Sequence, residues 1–443
     1  MALRAHVWKP ILKYRWPIAD KIRTLRQWET LSSEELERMR RDRLEAILEH
    51  AYQNVPYYRE TFEERPSPAD MDTLPLLRKE TLRERFEDLR SEDIESRDSY
   101  VNTTGGSTGR PVKFVQDVEY QGWNGAVKRV FDSWGGREIS DPKVRVWGAE
   151  EDIVDGTDLK TRVGRWLRNE HVVNAFDLSE ETLAAAVETI NSSRPCLIHG
   201  YVESVEQIAS HVEERNLDIH SPTAIHTTAG TLYPEMREHI ETVFDCRVQN
   251  RYGSREFGDI ACECPERSGL HVSTPTHYIE VVDPDTGELL EPGETGEIVV
   301  TSLTNYAMPL IRYPVGDVGR FAEGECSCGC HWPRLEHVEG RVSDIFTAPD
   351  GTTVHGEYFT HVMYGRDWID WFQVVQHARD DVTVRIVPNG DVDRADAEAQ
   401  LNEIRAEFAT ALGKNVKIAF VFEEEIEREK SGKYRFTISK VDS

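Results

Sequence analysis

The chain has 443 residues, 39% of them hydrophobic, and its 80 Asp and Glu outweigh 53 Lys and Arg to leave a net charge of −27. That length accommodates a large domain plus a small one, and so acidic a balance repels nucleic acid and anionic membranes, excluding both as expected partners. No 18-residue apolar run is present that could span a bilayer.

The basic residues are mainly arginine: there are 13 lysines, and none falls between Lys160 and Lys414. A lysine-poor acidic surface suits a salt-rich cytosol that screens self-repulsion, so the composition points to a halophilic source. Residues 1–19 mix Arg, Lys, Trp and Pro without an apolar core or small-residue cleavage site, which is not a signal-peptide pattern and leads us to expect a cytoplasmic protein. Seven cysteines, an odd number with five between 262 and 330, argue for a metal site plus structural thiols instead of a disulfide framework.

Residues 31–60 open with Leu31-Ser32-Ser33-Glu34-Glu35, a serine cap before acidic first-turn positions, and continue with apolar residues at helical spacing as far as Asn54-Val55-Pro56. The stretch Leu74-Pro75-Leu76-Leu77-Arg78-Lys79-Glu80 opens a second helical segment. The next stretch carries chemistry. Thr103, Thr104, Gly105, Gly106, Ser107, Thr108 and Gly109 combine glycines, which let the backbone approach a ligand closely, with hydroxyls and unpaired N–H groups that can hold phosphate oxygens. No Lys-Ser/Thr pair follows and Pro111 opposes entry into a helix, so this is not a Walker A loop. It suits a polyphosphate; the plainer alternative is an ordinary turn before the strand-like Val112-Lys113-Phe114-Val115.

From 120 to 245 helices and strands alternate: residues 120–134, 180–191, 201–215 and 234–244 read as helices, and 143–147, 196–199 and 224–228 as strands. Such alternation predicts a parallel or mixed sheet covered on both faces, with ligands gathering where strands end in loops. His199, Tyr201 and His226 lie at or beside such ends, either as pocket residues or as ordinary core. In Asn250-Arg251-Tyr252-Gly253-Ser254-Arg255-Glu256, a ring able to stack on a base stands four residues before a carboxylate able to bind Mg²⁺; an ion pair with a neighbouring arginine is the alternative for Glu256. Short strands at 278–282 and 297–301 follow, and Asp317 after Gly316 could accept both hydroxyls of a ribose or merely close an Asx turn.

Cys264, His271, Cys326 and Cys328 supply two ligands from each of two separated loops, a closed tetrahedral Zn²⁺ set with no open position; Cys262, Cys330 and His331 are spare candidates. After Gly340-Arg341-Val342-Ser343-Asp344, strands at 372–376, 382–387 and 416–422 and a helix at 396–412 describe a small α+β domain. It closes on the basic loop around Ser431-Gly432-Lys433, where a lysine can neutralise charge developing on phosphate or carboxylate.

In order and spacing these motifs resemble the adenylate-forming superfamily of acyl-CoA synthetases and ligases, and within it the phenylacetate-CoA ligase branch with its capsule-biosynthesis and coenzyme F390 synthetase relatives. The resemblance runs from Asn54-Val55-Pro56-Tyr57-Tyr58 to Lys433. It implies an α/β fold: a large N-terminal ATP- and acyl-binding domain over 1–342, with helix-covered sheets and a zinc-binding insert, and a small mobile α+β lid over 343–443. By this resemblance 103–109 is the phosphate loop, Gly230-Thr231-Leu232 the adenine-side loop, and the segment containing Tyr252, Gly253, Ser254 and Arg255 the nucleotide motif, whose Glu256 binds Mg²⁺. Asp317 would hold the ribose, Arg341 would contact ribose and phosphate, Ser343 would be the hinge, and Lys433 would bridge carboxylate and α-phosphate. Two positions depart from the pattern: Arg255 stands where many relatives carry Thr or Ser, and Ser343 where Asp or Lys is usual.

The implied chemistry is ATP-dependent activation of a small carboxylic acid, through an acyl-adenylate with loss of pyrophosphate, followed by acyl transfer. CoA is the default acceptor. Transfer to an amine or sugar, AMP transfer to a hydroxyl, and a non-catalytic nucleotide-binding protein are the alternatives. Trp123, His199, Tyr201 and His226 suggest an aromatic acid, and the sequence leaves monomer and homodimer equally open.

Overall fold

The computed structural model describes residues 18–103, 112–147, 159–175, 177–230, 232–284, 286–339, 345–363, 366, 368–388, 394–426 and 436–441. Ser32 opens the helix Ser33–Asn54 with a capping box: its hydroxyl accepts the Glu35 N–H at 3.3 Å, and the Glu35 carboxylate accepts the Ser32 N–H at 3.0 Å. Val55, extended before Pro56, ends the helix. The buried Tyr58 hydroxyl then donates to the Pro309 carbonyl at 2.9 Å and accepts the Ile311 N–H at 3.1 Å, tying the N-terminal helices to the heart of the molecule.

Strands β1 (Ser99–Thr103) and β2 (Lys113–Asp117) pair antiparallel from Ser99↔Asp117 to Thr103↔Lys113, so the predicted phosphate loop leaves and re-enters a two-stranded ribbon at one point. Then come β3 (Lys143–Trp147), β4 (Glu170–Asn174), the short β5 (Asp177–Leu178), β6 (Leu197–Tyr201), β7 (Ala224–Thr228) and β8 (Arg247–Ser254). They are followed by β9 (Gly258–Glu263), β10 (Leu270–Val272), β11 (His277–Val282), β12 (Gly296–Ser302), β13 (Tyr313–Phe321) and β14 (Arg334–Glu339). Among the described residues eleven of these form one sheet in the order β11-β12-β13-β14-β10-β9-β8-β7-β6-β3-β4. Strands β4, β3, β6, β7 and β8 run parallel, and β8 pairs antiparallel with β9, so β8 is where the sheet changes sense.

Parallel strands covered on both faces usually read as continuous apolar runs, but these alternate. Val144, Ile198, Ile225 and Val248 align across one face and pack with Leu183, Val187, Ile208, Val212 and Phe244 of the helices Glu180–Ser193, Val202–Glu214 and Pro234–Phe244. One residue further along each strand, Arg145, His199, His226 and Gln249 align on the opposite face. There the helix Val118–Trp134 sends Asp132 down to Lys143 and Arg251.

Beyond 344, β15 (Ile345–Thr347) and β16 (Thr353–His355) join β5 in a three-stranded antiparallel sheet. Strands β17 (Ile369–Ala378), β18 (Asp381–Pro388), β19 (Lys417–Phe422) and β20 (Thr437–Ser439) form a four-stranded sheet in the order β19-β18-β17-β20. The helix Arg394–Leu412 packs Ile404, Phe408 and Leu412 against Phe346, Phe359 and Phe372. The protein is thus mixed α/β, with an α+β unit at its C-terminal end.

Candidate active site

A cavity of about 810 Å³ opens at the C-terminal ends of the parallel strands and extends over their polar face. Gly230, Tyr252, Gly253, Ser254, Arg255, Glu256 and Asp317 all border it. The Tyr252 hydroxyl donates to Asp317 Oδ2 at 2.8 Å, so two residues 65 positions apart meet, the first on β8 and the second on β13. Asp317 does not follow a loop turn, as the sequence had suggested. Gly316, at φ +88°, lies within β13 opposite a register shift between Glu297 and Val299, and this bulge re-aims the strand at the cavity.

Glu256 sits in the tight turn joining β8 to β9, which Gly258 completes at φ +70°; a Cβ there would collide with the Asn124 side chain. The Glu256 side chain is largely buried, and among the described residues the Tyr313 hydroxyl donates to its Oε1 at 3.4 Å. Among the described residues no arginine pairs with it, which removes the ion-pair alternative there. The Gln116 amide of β2 donates to the carbonyls of Arg255 and Glu256 at 3.2 and 3.1 Å, while its oxygen accepts from Tyr100 and Asn102 of β1, each at 3.1 Å. The base of the predicted phosphate loop is thereby fixed against the glutamate turn. Gln116 and Asn102 are site residues that sequence reasoning missed, since the link depends on a contact 140 positions apart. Thr103 ends β1 beside this base. Residues 104–109, Thr231, Arg341, Ser343 and Lys433 lie outside the described residues.

Deeper in the cavity the wall is charged. Asp132 receives Arg137 at 2.9 Å, Lys143 at 2.8 Å and Arg251 at 2.9 Å, and Arg251 also reaches Asp259 at 3.0 Å. Burial alone would raise the Asp132 carboxyl, but Lys143, Arg251 and Arg137 together hold it well below the usual range. Burial pushes Lys143 down to about 8, with Asp132 opposing the shift. Burial, reinforced by the Arg251 charge, holds His199 and His226 well below 6.5, so both are neutral near pH 7. His199 and Tyr201 border the cavity. His226 is fully buried behind it, its Nε2 close to the Cα of Gly135, and Trp123 stacks on Trp28 at 5.8 Å on the far side of its helix. Only two of the four residues that suggested an aromatic acid therefore face the site.

The donor atoms of Cys264, His271, Cys326 and Cys328 all lie within 4.8 Å of one another, with Sγ to Sγ 3.6 Å for Cys264 and Cys326 and Cys328 Sγ to His271 Nε2 3.4 Å. These are edge lengths of a tetrahedral site with ligands about 2.0–2.3 Å from a central ion. His271 Nδ1 lies 2.9 Å from the Trp332 carbonyl, to which it donates, leaving Nε2 as the ligand atom. Burial holds His271 down to about 4, in the neutral form that a metal requires. Cys262 is buried with its thiol on the Glu263 carbonyl, Cys330 lends only its N–H to Cys328 Sγ, and His331 lies beside Glu325, so none of the three spare candidates joins the cluster.

Residues 170–307 match the family described as AMP-binding enzyme, and residues 346–440 match the CapK C-terminal domain. The CapK protein of Staphylococcus aureus is 25% identical over 344 residues, covering 76% of this chain and 74% of that one. A phenylacetate-coenzyme A ligase of Thermus thermophilus is 26% identical over 338 residues, covering 72% and 73%. Among solved structures, 2-hydroxyisobutyryl-CoA ligase in its thioesterification state superposes with a TM-score of 0.62 at 19% identity over 93% of this chain and 91% of that one, a likeness of fold.

Proposed function

Because this chain belongs to the adenylate-forming superfamily, with phenylacetate-coenzyme A ligases and CapK among its relatives, and is an AMP-forming ligase, we propose that it activates a small carboxylic acid and passes the acyl group to CoA. A carboxylate oxygen attacks the α-phosphorus of ATP in line, the bond to the β-phosphate bridge breaks, and pyrophosphate leaves. The CoA thiolate then attacks the acyl carbonyl and AMP departs.

The observation that carries this reading is the Tyr252–Asp317 hydrogen bond at the cavity edge, beside Glu256. In our reading Tyr252 lies by the adenine, Gly230 and Thr231 belong to the adenine-side loop, and Asp317 accepts the ribose hydroxyls with the oxygen atoms that Tyr252 leaves available. Residues 103–109 and Arg341 hold phosphate. Glu256 holds Mg²⁺, which when bound supplies positive charge to the phosphate oxygens. Lys433 offsets the charge that builds between carboxylate and α-phosphate. The segment after 342 then turns about Ser343, withdrawing Lys433; His361, which already borders the cavity from that segment, is consistent with its approach. Cys264, His271, Cys326 and Cys328 hold one structural Zn²⁺ with every ligand position filled by protein.

The test is pyrophosphate release from Mg-ATP across a broad panel of carboxylic acids in high KCl, with and without CoA, and mass spectrometry of the products. Release with acyl-CoA as product is expected; nucleotide binding without release for any acid would sink the reading. Lys433→Ala should slow adenylation far more than acyl transfer from a supplied acyl-adenylate, and equal damage to both steps would remove Lys433 from its assigned role. Metal analysis should return one zinc per chain.

A further inference from the structure

Building on the adenylating reading, we propose that the deep half of the cavity is an anion site, and that the acid this enzyme activates carries a second anionic group opposite its reacting carboxylate.

The first observation is a charge surplus. Away from the nucleotide edge, and among the described residues, eight Arg and Lys side chains border the cavity against four carboxylates, in a chain whose net charge is −27. The carboxylates are already shared: Asp132 serves Arg137, Lys143 and Arg251, and Glu170 serves Arg168 at 2.9 Å. Arg129 is left over. It projects from the helix Val118–Trp134 into the cavity wall, its Nη1 donates to the Gly125 carbonyl of its own helix at 2.6 Å, and no carboxylate of the described residues lies within ion-pair reach. Burial lowers the Arg129 guanidinium, and Glu170 and Asp132 oppose this only from beyond ion-pair distance, so a ligand carboxylate, phosphate or sulfonate accepting a forked pair of hydrogen bonds would give it a direct counter-charge.

The second observation is position. Lys143 pairs with Leu197, which pairs with Ala224, the first residue of β7; the nucleotide edge begins where β7 ends at Thr228. Four residues of strand separate the two levels by roughly 13 Å. A phosphate group of a nucleotide seated at the edge is therefore out of reach of Lys143, whereas the far end of an extended acid would meet it.

The third observation is the wall between the two ends. Ile18 and Ile22 of the helix Ile18–Trp28 cover one side, and the sheet side presents His199, whose buried Nε2 has no hydrogen-bond partner among the described residues. Trp147 and Tyr201 lie beside His199 on the sheet side, so among the described residues the wall mixes apolar and polar groups and fits an apolar chain between two polar ends. The recognised class is thus a small α,ω-dicarboxylic acid, or an acid ending in another anionic group, with its two charges on the order of 10 Å apart.

The experiment uses the full chain with saturating Mg-ATP. Pyrophosphate release is measured for α,ω-dicarboxylic acids of increasing length, for monocarboxylic acids of matching length, and for phenylacetate; binding of the same acids without nucleotide is followed by calorimetry. A diacid of one preferred length should exceed its monoacid in kcat/KM by about tenfold or more, and Arg129→Met should bring the two acids to the same kcat/KM. Release confined to monoacids or phenylacetate, or a diacid preference untouched in Arg129→Met, overturns the anion site and leaves the adenylating reading standing. Calorimetric binding of the diacid that disappears in Arg129→Met, without pyrophosphate release for any acid, keeps the anion site and overturns the adenylating reading. Absence of both binding and release overturns both.

Discussion

On one face of the parallel strands Val144, Ile198, Ile225 and Val248 meet the aliphatic sides of three helices; on the other, one residue further along each strand, Arg145, His199, His226 and Gln249 sit among buried charges. Both faces are covered by helices, so solvent exposure does not account for the difference. The apolar face gains stability from each aliphatic side chain it buries, about 1.5–3 kcal/mol apiece. The polar face must be held together by partners, because each ion there is stable only while its neighbours remain. A face that needs this much internal compensation is one whose polarity serves a ligand, and the cavity lies on that side.

If this division is right, cutting the two faces should have different consequences. The largest effect is expected from Asp132→Ala, which removes the carboxylate shared by Lys143, Arg137 and Arg251: a loss of about 3–5 kcal/mol, read as a lowered denaturant midpoint. A loss no greater than that of a single core methyl would mean that water already compensates those cations. Next comes Glu256→Gln, expected to slow pyrophosphate release on the order of 10²–10³-fold while leaving the unfolding midpoint in place, since among the described residues the carboxylate has only the 3.4 Å contact to Tyr313 to lose. A variant that unfolds early would make Glu256 part of the scaffold.

The apolar face was legible in the sequence because its signal is local. Helical spacing and short aliphatic runs located the helix Pro234–Phe244 and the strands Lys143–Trp147 and Ala224–Thr228 to the residue. The cavity edge that we assign to nucleotide stood out by residue type in the segment from Tyr252 to Glu256 and at Asp317, and the fold brings Tyr252 and Asp317 into contact. The backbone carrying Asp317 was not legible, since a bulge within β13 and a turn both call for glycine at 316. Cys264, His271, Cys326 and Cys328 were named from their spacing, but spacing alone left Cys262, Cys330 and His331 open as replacements, and the fold sets those three aside. The polar row was hidden for a different reason. Each strand contributes one or two polar residues that look incidental by themselves, and only the cross-strand register reveals that they share a face. The available clue was polar alternation within strands that the topology required to be parallel and buried.

Two smaller changes test the helix-covered apolar side. Ile225→Val should cost about 0.5–1.5 kcal/mol and leave acid selectivity as it was; a shift in selectivity would show that the faces are coupled. The smallest effect belongs to the outer edge of the same layer, where His239 of the helix Pro234–Phe244 meets Glu206 at 2.6 Å and Glu213 at 3.3 Å on the helix Val202–Glu214. Burial lowers the imidazole, but the hydrogen bond and charge of Glu206, with Glu213, outweigh it and raise His239 above its usual 6.5. A raised folded-state value means that the pair stabilises the fold fully below the unfolded value and loses that contribution as pH rises through the folded one. His239→Gln should therefore lower stability by about 0.3–1 kcal/mol near pH 6 and by nothing measurable near pH 9. Unfolding midpoints of both proteins at the two pH values decide it, and an equal deficit at both would assign His239 a packing role in place of an ionic one.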